Sequence, residues 1–192
     1  MDSRGTNSEN GLFIPYRDMR GLLDHLDRHG ELLHIKKPVP PRYLHTLLAK
    51  SDKAVLFESV AGYGVPVVGG LVGTRRRLAL GMASDERLVG KVFMEALERP
   101  IPAEVVADGP VQEVVKVGKD VDLTELPIPL QHRKDGGPYI SAGIVVAKDE
   151  EGQRNVGCYR LMYRTANETS IDLVSPSDMR FIYQRSLDRG KP

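Results

Sequence analysis

The stretch "RNVGCYR", residues Arg154 to Arg160, decides how the second half of the chain folds. It follows the turn-like run "DEEGQ" and continues into "LMYR". Short apolar runs bounded by turn residues read as β-strands. This one opens on a polar residue, Asn155, and carries a second polar group, Arg160, five positions on. Side chains alternate between the faces of a strand, so residues five apart fall on opposite faces. Asn155 and Arg160 therefore share a site only if the strand bulges, and Gly157 is the position where a bulge is easiest. A third polar group, Asp178, follows the next apolar run, in the first turn of a helix after "SPS". It reads either as an acid placed to suit the helix start or as the third member of a site. The pattern leaves both readings open.

Working outward, "VQEVVKV", "YISAGIVVAKD", "NVGCYRLMYR" and "SIDLVS" read as short strands, with "KDEEGQR" as a hairpin connection. "SPSDMRFIYQRSLDRGKP" reads as a helix with Met179, Ile182, Tyr183 and Leu187 on its inner face and Gly190 as its stop. Upstream the pattern changes. "YRDMRGLLDHLDRHGELLHI" predicts a helix capped by Asp18 and stopped at Gly30, then a strand. "PVPPRYLHTLLAKS" leads into a short helix, "AVLFESV" is a buried strand, and "GYGVPVVGGLVG" is a loop and strand. "SDERLVGKVFMEALERP" predicts a helix capped by Ser84 and ended by Pro100. The expected organisation is a polar, disordered tail over 1–12, an α/β domain over 13–105, and a mostly β portion with one helix over 106–192. The boundary is expected near Pro100 to Pro110. Three or four antiparallel strands rarely close a barrel, so the β portion reads as incomplete: either its strands pair with another chain or the polypeptide is one half of something larger.

The bulk numbers exclude several classes. The 192 residues are 41% hydrophobic and 28% charged, with a net charge of +1. That is ordinary globular composition without the basic field that attracts nucleic acid. No apolar run reaches the roughly 20 residues of a membrane span. The single cysteine, Cys158, excludes an internal disulfide and a cysteine-cluster metal site, and it reads as a small buried hydrophobe. Together these features favour the cytoplasm. Two weaker motifs remain. Arg75 to Arg77 begin a helix after Thr74, where an anion could bind, though a solvated helix start is the plainer reading. His25 and His29 stand four apart on one helix, a legal metal spacing, but without any H-E-x-x-H pattern they read as structural.

Several stretches, taken in order, resemble the N-terminal part of UbiD-type decarboxylases. They are "YRDMRGLLDHLDRHGELLHI", "AVLFESVAGYGVPVVGGLVGTRRRLALGM", "LPIPLQHRKDGGPYISAGIVVAKD" and "RNVGCYR". The resemblance implies an α/β N-terminal domain followed by a split β-barrel of flavin-reductase type. It implies prenylated FMN, a divalent metal (Mn²⁺ or Mg²⁺) and, as a further ion, K⁺. It places Asn155 as a metal ligand at the cofactor phosphate and Arg160 beside the reactive flavin and the substrate carboxylate. Tyr159 and Ser177 fall among the cofactor-binding positions. Asp178 stands where the family carries a histidine ligand, and a carboxylate also suits a hard cation.

The same resemblance puts the remaining metal ligand and the acid/base Glu–Arg–Glu network beyond Pro192. The expectation is a subunit active only with a second, larger chain, within a higher oligomer, on an unsaturated or aromatic carboxylic acid. Two alternatives are a non-catalytic assembly subunit and a small free-standing FMN-binding module.

Overall fold

In the computed structural model, which describes Tyr16, residues 18–174 and residues 176–191, the chain is α+β and divides into two compact units between Val115 and Lys116. The expected tail over 1–12 lies outside the described residues.

The first unit is built around a three-stranded sheet in the order β1 (Leu32–Ile35), β2 (Ala54–Phe57), β3 (Val67–Gly69). β1 and β2 are parallel, and helix α2 (Pro41–Leu48) forms the crossover between them. β3 returns antiparallel to β2. As the central strand, β2 is covered on both faces, which is why "AVLF" is apolar without alternation. Val55 and Phe57 pack with Val39, Leu44 and Val60 on the α2 side. Ala54 and Leu56 pack on the other side with Leu26 of α1 (Met19–Arg28) and Leu80 of α3 (Arg75–Gly81). The expected start and stop of α1 are both present. Asp18 Oδ1 accepts from the Gly21 N–H at 2.9 Å, and Gly30 takes the left-handed turn at φ +69°.

Of the arginine triplet, Arg75 and Arg76 are exposed, as a solvated helix start has them, but Arg77 is turned inward. Arg77 is buried at 4% exposure. Its Nε donates to the Gly70 carbonyl at 2.8 Å, and its Nη1 donates to the Asp52 carbonyl at 2.7 Å and to Glu31 Oε2 at 3.1 Å. Arg76 pairs with the other oxygen of Glu31 at 2.7 Å. The guanidinium thus satisfies loop carbonyls that the glycine-rich turn leaves facing inward. The two α1 histidines are likewise structural, with His29 Nδ1 hydrogen-bonded to the His25 carbonyl at 2.8 Å.

Helix α4 (Val89–Glu98) starts later than expected, at Leu88 with no side-chain cap, while Ser84 Oγ bonds to the Asp85 carbonyl instead. None of its side chains is buried. The expected strand "VQEVVKV" is not a strand. It is a 3₁₀ turn at Pro110–Gln112 followed by open chain, with Val111 88% exposed. Its β-branched side chains have no neighbouring strand among the described residues to pair with, and propensity alone does not make a ladder.

The second unit is an antiparallel meander, β4 (Tyr139–Lys148), β5 (Arg154–Thr165) and β6 (Glu168–Ile171), with helix α5 (Asp178–Asp188) against β4 and β5. The β4–β5 hairpin turn is closed by Asp149, whose Oδ1 accepts from the Gln153 N–H at 2.7 Å, and by Gly152 at φ +86°. α5 covers one face of the sheet through half-buried Met179 and Ile182. Tyr183 and Leu187, expected on that inner face, are 47% and 54% exposed. Among its described residues this unit has no buried side chain and no closed barrel. On the sheet face away from Asn155, Ile144, Val146 and Val156 are more than 60% exposed.

Candidate functional site

Strand alternation sets the site. Along β5, Asn155, Gly157, Tyr159 and Leu161 are half-covered, and Val156, Cys158 and Arg160 are exposed. Gly157 is not a bulge, because it pairs in register with Val145. A Cβ there would stand 2.5 Å from Cε2 of Tyr159, so the glycine makes room for the tyrosine ring lying across it. The irregularity lies on the neighbouring strand, where Ser141 and Ala142 stand opposite Arg160 alone. β5 therefore keeps its alternation from Asn155 to Arg160, and the two residues occupy opposite faces. The Arg160 guanidinium sits 5.8 Å from the centre of the Tyr139 ring, within cation–π range.

Asn155 and Asp178 do meet. α5 begins where Ser177 caps it, its Oγ accepting from the Arg180 N–H at 3.2 Å. With the cap supplied by Ser177, the next side chain is released from capping and turns toward the strand. Asn155 Nδ2 donates to Asp178 Oδ2 at 3.2 Å. The other amide atom, Asn155 Oδ1, is buried and has no hydrogen-bond partner. A buried polar atom without a partner costs about 1–3 kcal/mol, so it calls for an explanation.

The two residues open onto a cavity of about 490 Å³ between the start of β5 and α5. Asp178, Phe181, Ile182 and Arg185 line one wall, the i, i+3, i+4, i+7 face of the helix. Arg154 and the hairpin residues Asp149 and Gln153 line the other. Two oxygen donors, Asn155 Oδ1 and the Asp178 carboxylate, suit a hard divalent cation. Among the described residues no three His, Cys, Asp or Glu side chains cluster closely enough to hold a metal, so these donors would be part of a ligand set and not the whole of it. Arg154 and Arg185 carried no signal when the sequence was read position by position. The helical spacing from Asp178 to Arg185 is the pattern that would have found the second of them.

Comparison with known proteins sharpens this geometry. Residues 23–97 match the 3-octaprenyl-4-hydroxybenzoate carboxy-lyase N-terminal domain, and residues 104–192 match the Rift-related domain of the same carboxy-lyase. The chain belongs to the UbiD family. An uncharacterized protein in the cooM 5' region of Rhodospirillum rubrum is 33% identical over 91% of this chain and 39% of its own length.

Among solved structures, an evolved dimeric form of the UbiD-class enzyme HmfF from Pelotomaculum thermopropionicum, in complex with prFMN, aligns with TM-score 0.84 and 34% identity. It covers 90% of this chain and 42% of its own. Vanillic acid decarboxylase of Sedimentibacter hydroxybenzoicus in closed form aligns with TM-score 0.80 and 29% identity, over 92% of this chain and 41% of its own. The chain thus spans about two-fifths of the length of the relatives it matches. Its UbiD-class neighbours are decarboxylases. Among the described residues no helix is long and apolar enough to cross a membrane.

Proposed function

We propose that this chain is the N-terminal part of a prenylated-FMN-dependent (de)carboxylase for an unsaturated or aromatic carboxylic acid, completed by polypeptide outside this sequence. The observation that carries the reading is the meeting of Asn155 and Asp178 between β5 and α5, with a buried amide oxygen left unpartnered. Asn155 Oδ1 and Asp178 would hold Mg²⁺ or Mn²⁺. This chain supplies only these two donors among its described residues, so the rest of the ligand set would come from outside it.

When bound, the prenylated flavin supplies an electron sink for the carbon that loses CO₂. The residues of this chain bind and orient. The Tyr159 ring, laid across Gly157 on the Asn155 face, offers an aromatic wall. The Ser177 hydroxyl keeps a donor beside the start of α5 while its oxygen caps the helix. Arg160 lies on the opposite face of β5, outside the Asn155 cavity, with its guanidinium over Tyr139. Its role toward the substrate carboxylate, a charge-assisted contact of the strong class, rests on the family resemblance and not on a shared cavity. The general acid belongs to the completing polypeptide. So do the strands that would cover Ile144, Val146 and Val156, whose exposure on one sheet face supports an incomplete barrel.

The test is to purify the natural assembly and record mass and visible absorbance. A larger partner with a modified flavin is expected. Plain FMN on the isolated chain would indicate a free-standing module, and a colourless complex would indicate a silent subunit. Within the active assembly, Arg160→Ala is expected to abolish turnover and leave assembly intact. Arg160→Lys is expected to restore little, since a point charge does not reproduce the guanidinium fork.

A further inference from the structure

The β4–β5 pair loses its register at one place, and that place is opposite Arg160. Ile140 pairs with Leu161 and Gly143 with Tyr159, so Ser141 and Ala142 together face the arginine. A two-against-one bulge re-aims side chains and is common beside functional sites. Here it arranges them around a cation. The Arg160 guanidinium lies over the Tyr139 ring, so the two share a sheet face. Ser141 is two residues on from Tyr139 in β4 and therefore on that face as well. Ser141 and Ala142 are exposed in succession, whereas Gly143 to Lys148 alternate.

Two features make this corner of the sheet a donor site. Arg160 pairs with no carboxylate among the described residues. Ser141 Oγ accepts from Gln131 Nε2 at 2.8 Å, which leaves the hydroxyl proton to be donated elsewhere. Gln131 opens the loop 131–138, whose turn Asp135 closes by accepting from the His132 N–H at 2.9 Å. The loop lies against the same end of the sheet. A Cβ on Gly136 would stand 3.0 Å from Cε of Met162, the cross-strand partner of Tyr139, and 3.9 Å from the Tyr139 hydroxyl.

We propose that Arg160 and Ser141 form a carboxylate clamp, with Gln131 as the positioning residue that keeps the Ser141 proton for the bound anion. The guanidinium supplies the charge, and the hydroxyl supplies a second, neutral donor that fixes the plane of the carboxylate. The proposal rests on the reading of Arg160 as the partner of the substrate carboxylate. It adds the groups that orient that carboxylate. Ala142 and Cys158, the exposed neighbours of the clamp, are small and uncharged, which suits an apolar body attached to the acid.

The experiment titrates the full chain in its natural assembly with benzoate and with cinnamate, read by calorimetry, with benzamide as the neutral control. Ser141→Ala is expected to weaken binding of the acids roughly tenfold, the scale of a lost hydrogen bond to a charged group, and to leave benzamide unchanged. Ser141→Thr keeps the hydroxyl and should retain most of the affinity. Gln131→Met should weaken acid binding roughly threefold, the scale of one neutral hydrogen bond. In a Ser141→Ala background the same change should have no further effect, because its action runs through the hydroxyl. Assembly mass should be that of wild type in every variant, which separates loss of the clamp from loss of the fold.

Wild-type acid affinity in Ser141→Ala would overturn the clamp, as would a wild-type assembly that binds neither acid. A further loss from Gln131→Met in the Ser141→Ala background would overturn the positioning role. The clamp and the reading beneath it fail separately. Wild-type acid binding by Arg160→Ala removes the carboxylate reading of Arg160 itself. A loss in Arg160→Ala with none in Ser141→Ala keeps that reading and removes the clamp.

Discussion

The sheet of β1 to β3 and the sheet of β4 to β6 have the same number of strands, but only the first encloses a core. In the first, α2 covers one face and α1 with α3 the other, and Leu26, Val55, Phe57 and Val60 are essentially inaccessible. In the second, α5 lies on one face, while Ile144, Val146 and Val156 on the other remain in water. The strands of both are apolar. What differs is the number of layers. A sheet with one covered face has half a core, and the surface left open is the one that another element must bury. The same incompleteness appears at the site, where Asn155 and Asp178 supply two donors and leave a buried oxygen waiting.

Paired substitutions should break this contrast most strongly. Leu26→Ala and Phe57→Ala each remove a side chain that is at most 1% exposed and should cost about 3–5 kcal/mol in denaturant unfolding of the chain. Ile144→Ala on the open face should change the same measurement by less than about 0.5 kcal/mol. Equal losses would mean that the open face is already covered in solution.

A second pair sharpens the reading of α5. Ser177→Ala should cost about 1 kcal/mol of stability, because its Oγ is the cap. Asp178→Ala should cost less than half of that, because its carboxylate faces Asn155 instead of its own first turn. The reverse order in a thermal-melt comparison would return Asp178 to a capping role.

The smallest effect is confined to the first unit. Burial lowers the pKa of His25, and the neighbouring positive groups His29 and Arg28 add to the shift. The unfolded chain then takes up its proton at a higher pH than the folded chain does. Stability is therefore complete above about pH 6.5, the value for a free histidine, and falls as the pH drops below it. His25→Gln should flatten that slope slightly in a pH series of unfolding curves, and an unchanged slope would assign the loss to other groups.

The first unit was largely legible in the sequence. Asp18, Gly30 and the unbroken apolar run "AVLF" each express a local rule, and all three hold. Arg77 was not legible. Its burial depends on the Gly70 and Asp52 carbonyls converging in space, which no window of residues around 77 contains. In the second unit the strands "YISAGIVVAK" and "RNVGCYRLMYRT" were visible from their patterning, and the faces followed from period two. "VQEVVKV" failed because its pattern fits a strand while the described residues offer it no partner. The helix α5 was visible but its rotation was not. Which of Ile182, Tyr183 and Leu187 turns inward depends on how many faces of the helix are covered, and here only one is. The convergence of Asn155 with Asp178 was legible only as a conditional, since a contact between residues 23 apart is set by the turn at Ser177.

Hydrogen–deuterium exchange of the isolated chain, read peptide by peptide, tests the central claim most directly. Amides of β1, β2 and β3, flanked by a closed core, should exchange through the largest opening free energy in the chain. Amides of β4, β5 and β6 should exchange far faster, and should slow only when the completing polypeptide is added. Equal protection of the two sheets in the isolated chain would contradict the account of the second unit as half of a barrel.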